Sequence, residues 1–284
     1  MKRKKIIEFL GFFSLRICLY LVLAVLLLFV YDIVSKGAGS VSWEFLSQAP
    51  RRGMTEGGIF PAIVGTFLVT VVTAILAVPL GMFAAIYLNE YAKQTRLTRI
   101  IRLSIRNLSG VPSIVYGLFG VILFVNILKF GTSVLSAGLT LGLLTLPWTI
   151  TASEEALKTI PNSYREGALA LGATKWQAIR TNVLPYAMPG MLTGTVLGLA
   201  RAAGETAPIM FTGAAFYLPF LPQSLSDQFM ALPYHLYVMA TQHHAISQVR
   251  PIAYGTALVL LLLILLLNLS VVTIRYRMRR IKRE

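Results

Sequence analysis

The sequence predicts an all-α integral membrane protein: a single domain, residues 1–284, that crosses the membrane six times. Of its 284 residues, 56% are hydrophobic and 13% are charged, whereas soluble domains average about 25% charged residues. Several apolar runs are long enough to cross a hydrocarbon core of about 30 Å. Lysines and arginines cluster at the flanks of these runs, which is typical of topology determinants. The net charge of +15 therefore indicates membrane orientation rather than nucleic-acid binding.

Six apolar runs are the predicted spans. They cover about 15–34, 59–88, 112–130, 133–151, 186–204 and 253–274. The first run is too long for the core of a signal peptide and predicts an uncleaved anchor. Residues 205–252 form a predicted outer loop. Its one apolar piece, 209–221, is too short to cross and is expected to be re-entrant or to lie along the surface.

The distribution of basic residues predicts the orientation. With six spans, both termini, the loop at 89–107 and the segment 154–185 share one side, which holds 19 of the 26 lysines and arginines. The positive-inside rule places that side in the cytoplasm.

A basic, amphipathic stretch follows the second span. Arg96, Arg99, Arg102 and Arg106 alternate at helical spacing with leucines and isoleucines at 97, 100, 101, 105 and 108. This pattern predicts a helix lying on anionic lipid at the membrane interface. A nucleic-acid-binding helix is the less favoured alternative, because no aromatic platform accompanies it.

The polar segment 154–185 between the fourth and fifth spans predicts two short helices. Ser163 with Glu166, and Thr174 with Gln177, have the spacing of capping boxes, and Gly172 lies where a glycine would end the first helix. Pro185 is expected to end the unit before the fifth span. The predicted apolar stripes are Tyr164, Ala168 and Leu171 in the first helix, and Trp176, Ile179 and Val183 in the second. Such a unit suits docking to an aqueous partner; an ordinary amphipathic loop would have the same pattern.

The fifth span combines small residues with a charged pair. Gly190, Gly194 and Gly198 recur every fourth residue and predict a ridge for close helix packing. Arg201 and Glu205 fall near the same face and predict a buried charged pair, since an intramembrane arginine needs a partner or a wet cavity. The pair could contact an anionic solute, or it could be a structural ion pair.

Other chemistry finds little support in the sequence. Cys18 is the only cysteine, and His235, His243 and His244 lack the spacing of a metal site. No glycine precedes a lysine as a nucleotide-binding P-loop would require. The sequence therefore predicts a non-catalytic chain without metal or cofactor.

One motif in the polar segment resembles the EAA motif of ABC-importer permeases. It comprises Glu166-Gly167-Ala168, Gly172 and Leu184-Pro185, and it departs from the usual pattern at Gly167 and Asn182. The resemblance implies that 154–185 is a coupling loop that fits a groove on a separate ATPase subunit. The residues it assigns to coupling are Glu166, Gly167, Ala168, Gly172, Thr174, Trp176, Leu184 and Pro185.

Two longer runs are similar to the A-type permeases of the Pst phosphate importers: Gly-Val-Pro-Ser-Ile-Val-Tyr-Gly at 110–117 and Leu-Ala-Arg-Ala-Ala-Gly-Glu-Thr-Ala-Pro at 199–208. This resemblance implies a type I ABC-importer permease in a bacterial cytoplasmic membrane. The implied partners are a homologous C-type permease, two ATPase subunits that bind ATP and magnesium, and an extracytoplasmic phosphate-binding protein. Arg201 matches a family position implicated in phosphate passage, and Glu205 lies beside it.

Three alternatives remain open at this stage. An ABC permease for another oxyanion or small solute would share the EAA motif. A secondary transporter would carry ion-coupling carboxylates within its spans, but only Asp32, Glu90, Glu154 and Glu205 lie in or near them. An intramembrane enzyme would need converging catalytic side chains at membrane depth, whereas all three histidines fall in the outer loop.

Overall fold

The structure is a computed structural model that describes residues 2–280, and helices dominate it. Lys282 and Arg283, the last basic residues of the predicted cytoplasmic tail, lie outside the described residues. The helices are α1 (Lys2–Gly37), α2 (Trp43–Ser47), α3 (Phe60–Ile86), α4 (Arg96–Leu108), α5 (Ser113–Gly120), α6 (Val134–Lys158), α7 (Ser163–Ala170), α8 (Lys175–Ala178), α9 (Leu184–Ala203), α10 (Ala207–Thr212), α11 (Leu232–Thr241) and α12 (Ile246–Arg280). A two-stranded hairpin pairs β1 (Pro50–Arg51) with β2 (Glu56–Gly57). Three π-helical turns, at Tyr87–Tyr91, Val121–Ile127 and Ile179–Val183, continue α3, α5 and α8.

Within the described residues, five helical segments are long and apolar enough to cross a membrane. They contain five of the six predicted spans, and several extend beyond the predicted ends. The remaining prediction, 112–130, corresponds to the 15-residue helix Ser113–Ile127, which follows α4 after a bend of 101°. That helix reaches only about 22 Å at 1.5 Å per residue. This helix is therefore shorter than the predicted span, and it passes as a candidate sixth span only together with α4.

Helices α3, α6 and α9 form the centre of the bundle, and small residues allow their close approach. A Cβ built on Gly190 would lie 2.9 Å from Cβ of Ala156, and one on Gly194 would overlap Cβ of Ala152. Gly198 faces Thr145 of α6 in the same way. The predicted glycine ridge therefore packs against α6. Beside it, α12 packs on α9, and α1 contacts α12.

The outer loop folds back onto the bundle. Helix α10 packs against α5 and α6, and Ile209 is buried. The backbone N–H of Ser133 donates to the carbonyl of Thr212 at 3.0 Å, joining this loop to the start of α6. The apolar piece predicted at 209–221 thus begins inside the protein.

The residues that follow α11 contact the turn between β1 and β2. Nε2 of His243 lies 2.7 Å from the carbonyl oxygen of Gly53, while Nδ1 of the same ring accepts from the N–H of Ala245 at 3.1 Å. In this arrangement Nε2 donates to the carbonyl oxygen of Gly53 and Nδ1 accepts from Ala245. Met54, Leu232 and Met239 are buried in the cluster beneath.

Candidate functional site

The polar segment between α6 and α9 forms the predicted pair of short helices. The hydroxyl of Thr174 accepts from the N–H of Gln177 at 3.3 Å, and the Gln177 side chain accepts from the N–H of Thr174 at 2.8 Å. This capping box is therefore confirmed. The capping box predicted at Ser163 and Glu166 is wrong, because α7 begins one residue earlier, with Asn162 at the cap and no side-chain cap bond.

Gly172 has the left-handed backbone conformation expected after a helix end, with φ of +83°. The N–H of Gly172 donates to the carbonyl of Leu169 at 3.0 Å, and the N–H of Ala173 donates to that of Ala168 at 3.1 Å. A Cβ at Gly172 would meet no atom within 4 Å. Backbone conformation, and not space, therefore selects glycine here.

The segment begins and ends differently from the prediction. Residues 154–158 belong to α6, which reaches Lys158. Pro185 does not end the unit, because it occupies the first turn of α9, where a proline needs no N–H partner. The π turn Ile179–Val183 joins α8 to α9 without a break, so residues Lys175–Ala203 form one continuous 29-residue helix. The second short helix is the beginning of the fifth span.

The apolar stripes are only partly turned toward the protein. Ala168, Ile179 and Val183 are buried as expected. Leu171 is 91% exposed, and Tyr164, Leu169 and Trp176 are each more than 40% exposed. The prediction that Tyr164, Leu171 and Trp176 belong to the inward stripe is therefore wrong. These side chains form an exposed apolar tip on a polar unit.

Arg165 joins α7 to the end of the second span. Its Nε and Nη2 donate to the two carboxylate oxygens of Glu90 at 3.0 and 2.6 Å. Nη1 of Arg165 donates to the carbonyl of Ile160 at 2.9 Å. The hydrogen bonds to Glu90 raise the pKa of Arg165 above its usual value. The Glu90 side chain is 4% exposed, so this is a buried, two-pronged ion pair.

A second ion pair lies near the same end of the bundle. Nε of Arg102 in α4 is 2.8 Å from the Glu154 carboxylate in α6, at an angle unsuited to a hydrogen bond. Nη2 of Arg102 donates to the carbonyl of Leu88 at 2.8 Å. Arg102 therefore ties α4 to both α3 and α6.

Between the two short helices and the ends of α3 and α6 lies a cavity of about 440 Å³. Its lining includes Glu90, Asn162, Arg165 and Lys175. Nζ of Lys175 lies 5.0 Å from the ring centre of Tyr91, within the range of a cation–π contact.

Arg201 lies at the far end of the same continuous helix. Its Nε is 3.5 Å from the Glu205 carboxylate, and its guanidinium lies 5.4 Å from the ring centre of Trp148. The side chain of Arg201 is 52% exposed and that of Glu205 is 17% exposed. The prediction of a buried pair is therefore wrong for Arg201. The prediction that it shares a face with Gly198 agrees with the structure, because both lie against Trp148.

The sequence reasoning overlooked the contact residues Arg165, Arg102 and Trp148. The sequence did contain a signal for Arg102 and Arg165. The chain has only 11 acidic residues, and two of them, Glu90 and Glu154, border predicted spans, where a carboxylate is expected to be buried. Buried carboxylates need cationic partners, and the nearest basic clusters contain Arg102 and Arg165. No sequence pattern indicated that Trp148 would face Arg201 across two helices.

Comparisons with known proteins agree with this geometry. A family model described as "Binding-protein-dependent transport system inner membrane component" matches residues 77–280. The chain is 33% identical to the probable ABC transporter permease protein YqgI of Bacillus subtilis, over 71% of this chain and 68% of that protein. It is 36% identical to phosphate transport system permease protein PstA 1 of Mycobacterium tuberculosis, over 78% of this chain and 71% of that protein. It is 32% identical to phosphate transport system permease protein PstA of Haemophilus influenzae, over 74% of each chain.

Two solved structures share the fold. A chain of the MetNI methionine ABC transporter superimposes with a TM-score of 0.59 at 19% identity, covering 78% of this chain and 94% of that one. A chain of a bacterial ABC transporter that imports the acidic polysaccharide alginate gives a TM-score of 0.64 at 13% identity, covering 92% and 95%. The fold is therefore that of the membrane subunits of type I ABC importers, as the sequence predicts.

Proposed function

This chain belongs to the family of binding-protein-dependent transport system inner membrane components, and from that premise we propose that it is a permease subunit of an ATP-driven phosphate importer. It would form half of the path for inorganic phosphate. Relatives named as phosphate transport permeases, at 32–36% identity, support this solute. A related oxyanion or another small solute is the alternative.

The proposal includes partners that this chain does not supply. An ATPase dimer would bind ATP and magnesium, a homologous C-type permease would complete the path, and an extracytoplasmic phosphate-binding protein would deliver the solute. Both termini and the coupling loop would lie in the cytoplasm of a bacterial cell. The family description, which names a binding-protein-dependent system and an inner membrane component, supports this assembly.

The observation that carries the proposal is the continuous helix from Lys175 to Ala203. Its first turn carries the Thr174 cap, and its last turn carries Arg201. These points are separated by about 40 Å at 1.5 Å per residue. Displacement of the second short helix could therefore be passed to the Arg201 end along one continuous helix, with no intervening loop.

The exposed apolar tip supports the proposal that this segment docks onto a partner protein. Leu171 and Trp176 stand on a unit that is otherwise polar and lies between membrane-spanning helices. Large exposed apolar side chains rimmed by polar residues mark protein interfaces. The groove of an ATPase subunit is the partner that the EAA resemblance implies, with the eight residues from Glu166 to Pro185 named above as the coupling residues. Of these, Ala168 is buried and would position the unit rather than touch the groove.

Arg201 is the proposed anion contact in the path. Its exposed guanidinium, held between Trp148 and Glu205, retains donors that a phosphate oxygen could accept. Because the separation from Glu205 is 3.5 Å, the carboxylate can be exchanged for a solute anion without breaking a short hydrogen bond. Arg201 would thus alternate between Glu205 and phosphate.

Co-purification followed by reconstitution tests the proposal. The tagged full chain, extracted from bacterial membranes, should retain an ATPase, a second permease and a phosphate-binding protein. The reconstituted complex should take up labelled phosphate only with ATP. Arg201→Gln should lower uptake at least tenfold with assembly unchanged, whereas Arg250→Gln, at an exposed position of the outer end, should stay within twofold of the wild type.

Three results would contradict parts of this proposal. Uptake of phosphate by the purified chain alone would remove the ATPase from the mechanism. Uptake of sulfate or another solute in place of phosphate would favour the alternative. Normal uptake by Arg201→Gln would leave the pair with Glu205 as a structural contact.

A further inference from the structure

Helix α4 carries a large apolar face that no part of the described chain covers. Its exposed apolar side chains are 40–65% accessible: Leu97, Ile100, Ile101, Leu103 and Leu108. At 100° per residue, all of these except Leu103 fall within an arc of about 100°. Thirteen residues reach about 20 Å, which is too short to cross a hydrocarbon core of about 30 Å. Its length does not allow α4 to cross alone, and exposed arginines along it are costly inside the hydrocarbon core.

The opposite side of α4 is basic. Arg96, Arg99 and Arg106 are all exposed. At 100° per residue, Arg99 and Arg106 lie about 140° and 160° from the centre of the apolar face, near Ser104, whereas Arg96 lies at its edge, about 80° away. Apolar and cationic surfaces on one short helix are typical of helices that rest in the headgroup layer.

A third face fixes the rotation of α4. Thr98 is buried, and its hydroxyl donates to the carbonyl of Lys93 at 2.7 Å. Arg102 is held by the Leu88 carbonyl and by Glu154, as described above. Because these contacts lie between the other two faces, α4 cannot turn its apolar side chains toward the bundle.

The orientation of α4 follows from the bend that ends it. The axis of α4 makes an angle of 101° with the helix Ser113–Ile127, which packs against α6 in the bundle. A helix nearly perpendicular to a membrane-crossing one lies close to the membrane plane. The contacts with Leu88 and Glu154 place it at the end of the bundle where the coupling loop also lies.

We propose that α4 is a binding surface for anionic phospholipid at this end of the protein. The apolar face would enter the acyl layer, and Arg96, Arg99 and Arg106 would reach lipid phosphates. An arginine near an anionic surface strengthens binding by roughly fivefold, so the three together favour anionic over neutral lipid by up to roughly a hundredfold. The proposal is independent of the transported solute.

Site-directed spin labelling of the full complex tests the placement. Replacing Cys18, the only cysteine, by serine allows single labels at Ser104, within the apolar face, and at Arg106, on the basic face. In vesicles of phosphatidylcholine and phosphatidylglycerol at 3:1, the Ser104 label should be accessible to oxygen and shielded from a water-soluble nickel chelate. The Arg106 label should show the reverse.

The lipid selectivity of the complex tests whether the three exposed arginines of α4 bind anionic lipid. Spin-labelled phosphatidylglycerol should be immobilised by the wild-type complex several times more than spin-labelled phosphatidylcholine, and less so at high salt. The triple variant R96Q/R99Q/R106Q should lose most of that preference, whereas Arg180→Gln should retain it. A Ser104 label reached by the chelate would show a solvated face, and one reached by neither reagent would show a protein partner. Either result, or an unchanged preference in the triple variant, would overturn the proposal.

Discussion

The guanidinium of Arg165 and the carboxylate of Glu90 form a buried, two-pronged ion pair that joins the first short helix of the coupling loop to the end of α3. Seventy-five positions separate the two residues in the sequence. The pair gives the polar segment 154–185 a second connection to the bundle, in addition to the helix that runs from Lys175 to Ala203.

Removing Arg165 alone should destabilise the protein. Arg165→Ala leaves the Glu90 carboxylate buried without its cation, which typically costs about 3–5 kcal/mol. Thermal unfolding in detergent should show a clear fall in the midpoint. Glu90→Gln combined with Arg165→Gln should recover part of the loss, because no charge stays buried. Arg180→Ala, at an exposed arginine of the same unit, is the matched control and should have little effect.

The sequence predicted most of this unit, but not its ion pairs. Capping and glycine signals depend on residues within four positions, so the Thr174 cap and the bend at Gly172 could be identified. The inward positions of Ala168, Ile179 and Val183 also followed from helical periodicity. The partnership of Arg165 with Glu90 depends on how α3 and α7 meet in space, which local pattern does not specify.

The same limit explains the error at Pro185. A proline commonly marks a helix boundary, and it also occupies the first turn of a helix without cost. Here the π turn at Ile179–Val183 delivers the chain into α9 without a break. The burial of Arg201 was misjudged for a related reason: helical spacing fixes the face on which a side chain stands, but not how far the neighbouring helix extends to cover it.

Gly172 should tolerate only residues that accept a left-handed backbone. Gly172→Val should strain the turn by about 1–2 kcal/mol, and so weaken retention of the ATPase on the purified complex by roughly 5- to 30-fold. Gly172→Asn should retain most of the ATPase, since asparagine visits this conformation more readily. Gly11→Ala is the control: Gly11 lies in α1, outside the polar segment 154–185, and a Cβ there meets no atom within 4 Å. Full ATPase retention by the valine variant would contradict a docking role for the turn.

The contact between α6 and α9 should depend on the absence of one methyl group. Gly194→Ala places a Cβ into that of Ala152, and overpacking of this kind costs about 1–3 kcal/mol. The double variant Gly194→Ala with Ala152→Gly moves the methyl to the other helix and should restore much of the stability. Gly198→Ala, whose Cβ would lie 3.2 Å from Thr145, should cost less. Equal unfolding midpoints for the wild type and Gly194→Ala would show that the helices separate easily.

Acid should loosen the outer end of the protein through His235. Its ring is 2% exposed and neither nitrogen has a hydrogen-bond partner in the described structure; burial, with a smaller contribution from His243, lowers its pKa to about 4. Because the unfolded chain binds a proton near pH 6.5 and the folded chain does not, stability is constant above pH 6.5 and falls as the pH drops toward 4. The full loss of unfolding free energy from this group is about 3 kcal/mol.

The variant His235→Leu, which has no group to protonate, should flatten the fall in unfolding midpoint between pH 7.5 and 4.5. The variant His244→Leu, at an exposed position, should leave that fall unchanged. An identical pH dependence in the wild type and His235→Leu would assign the acid sensitivity to other groups.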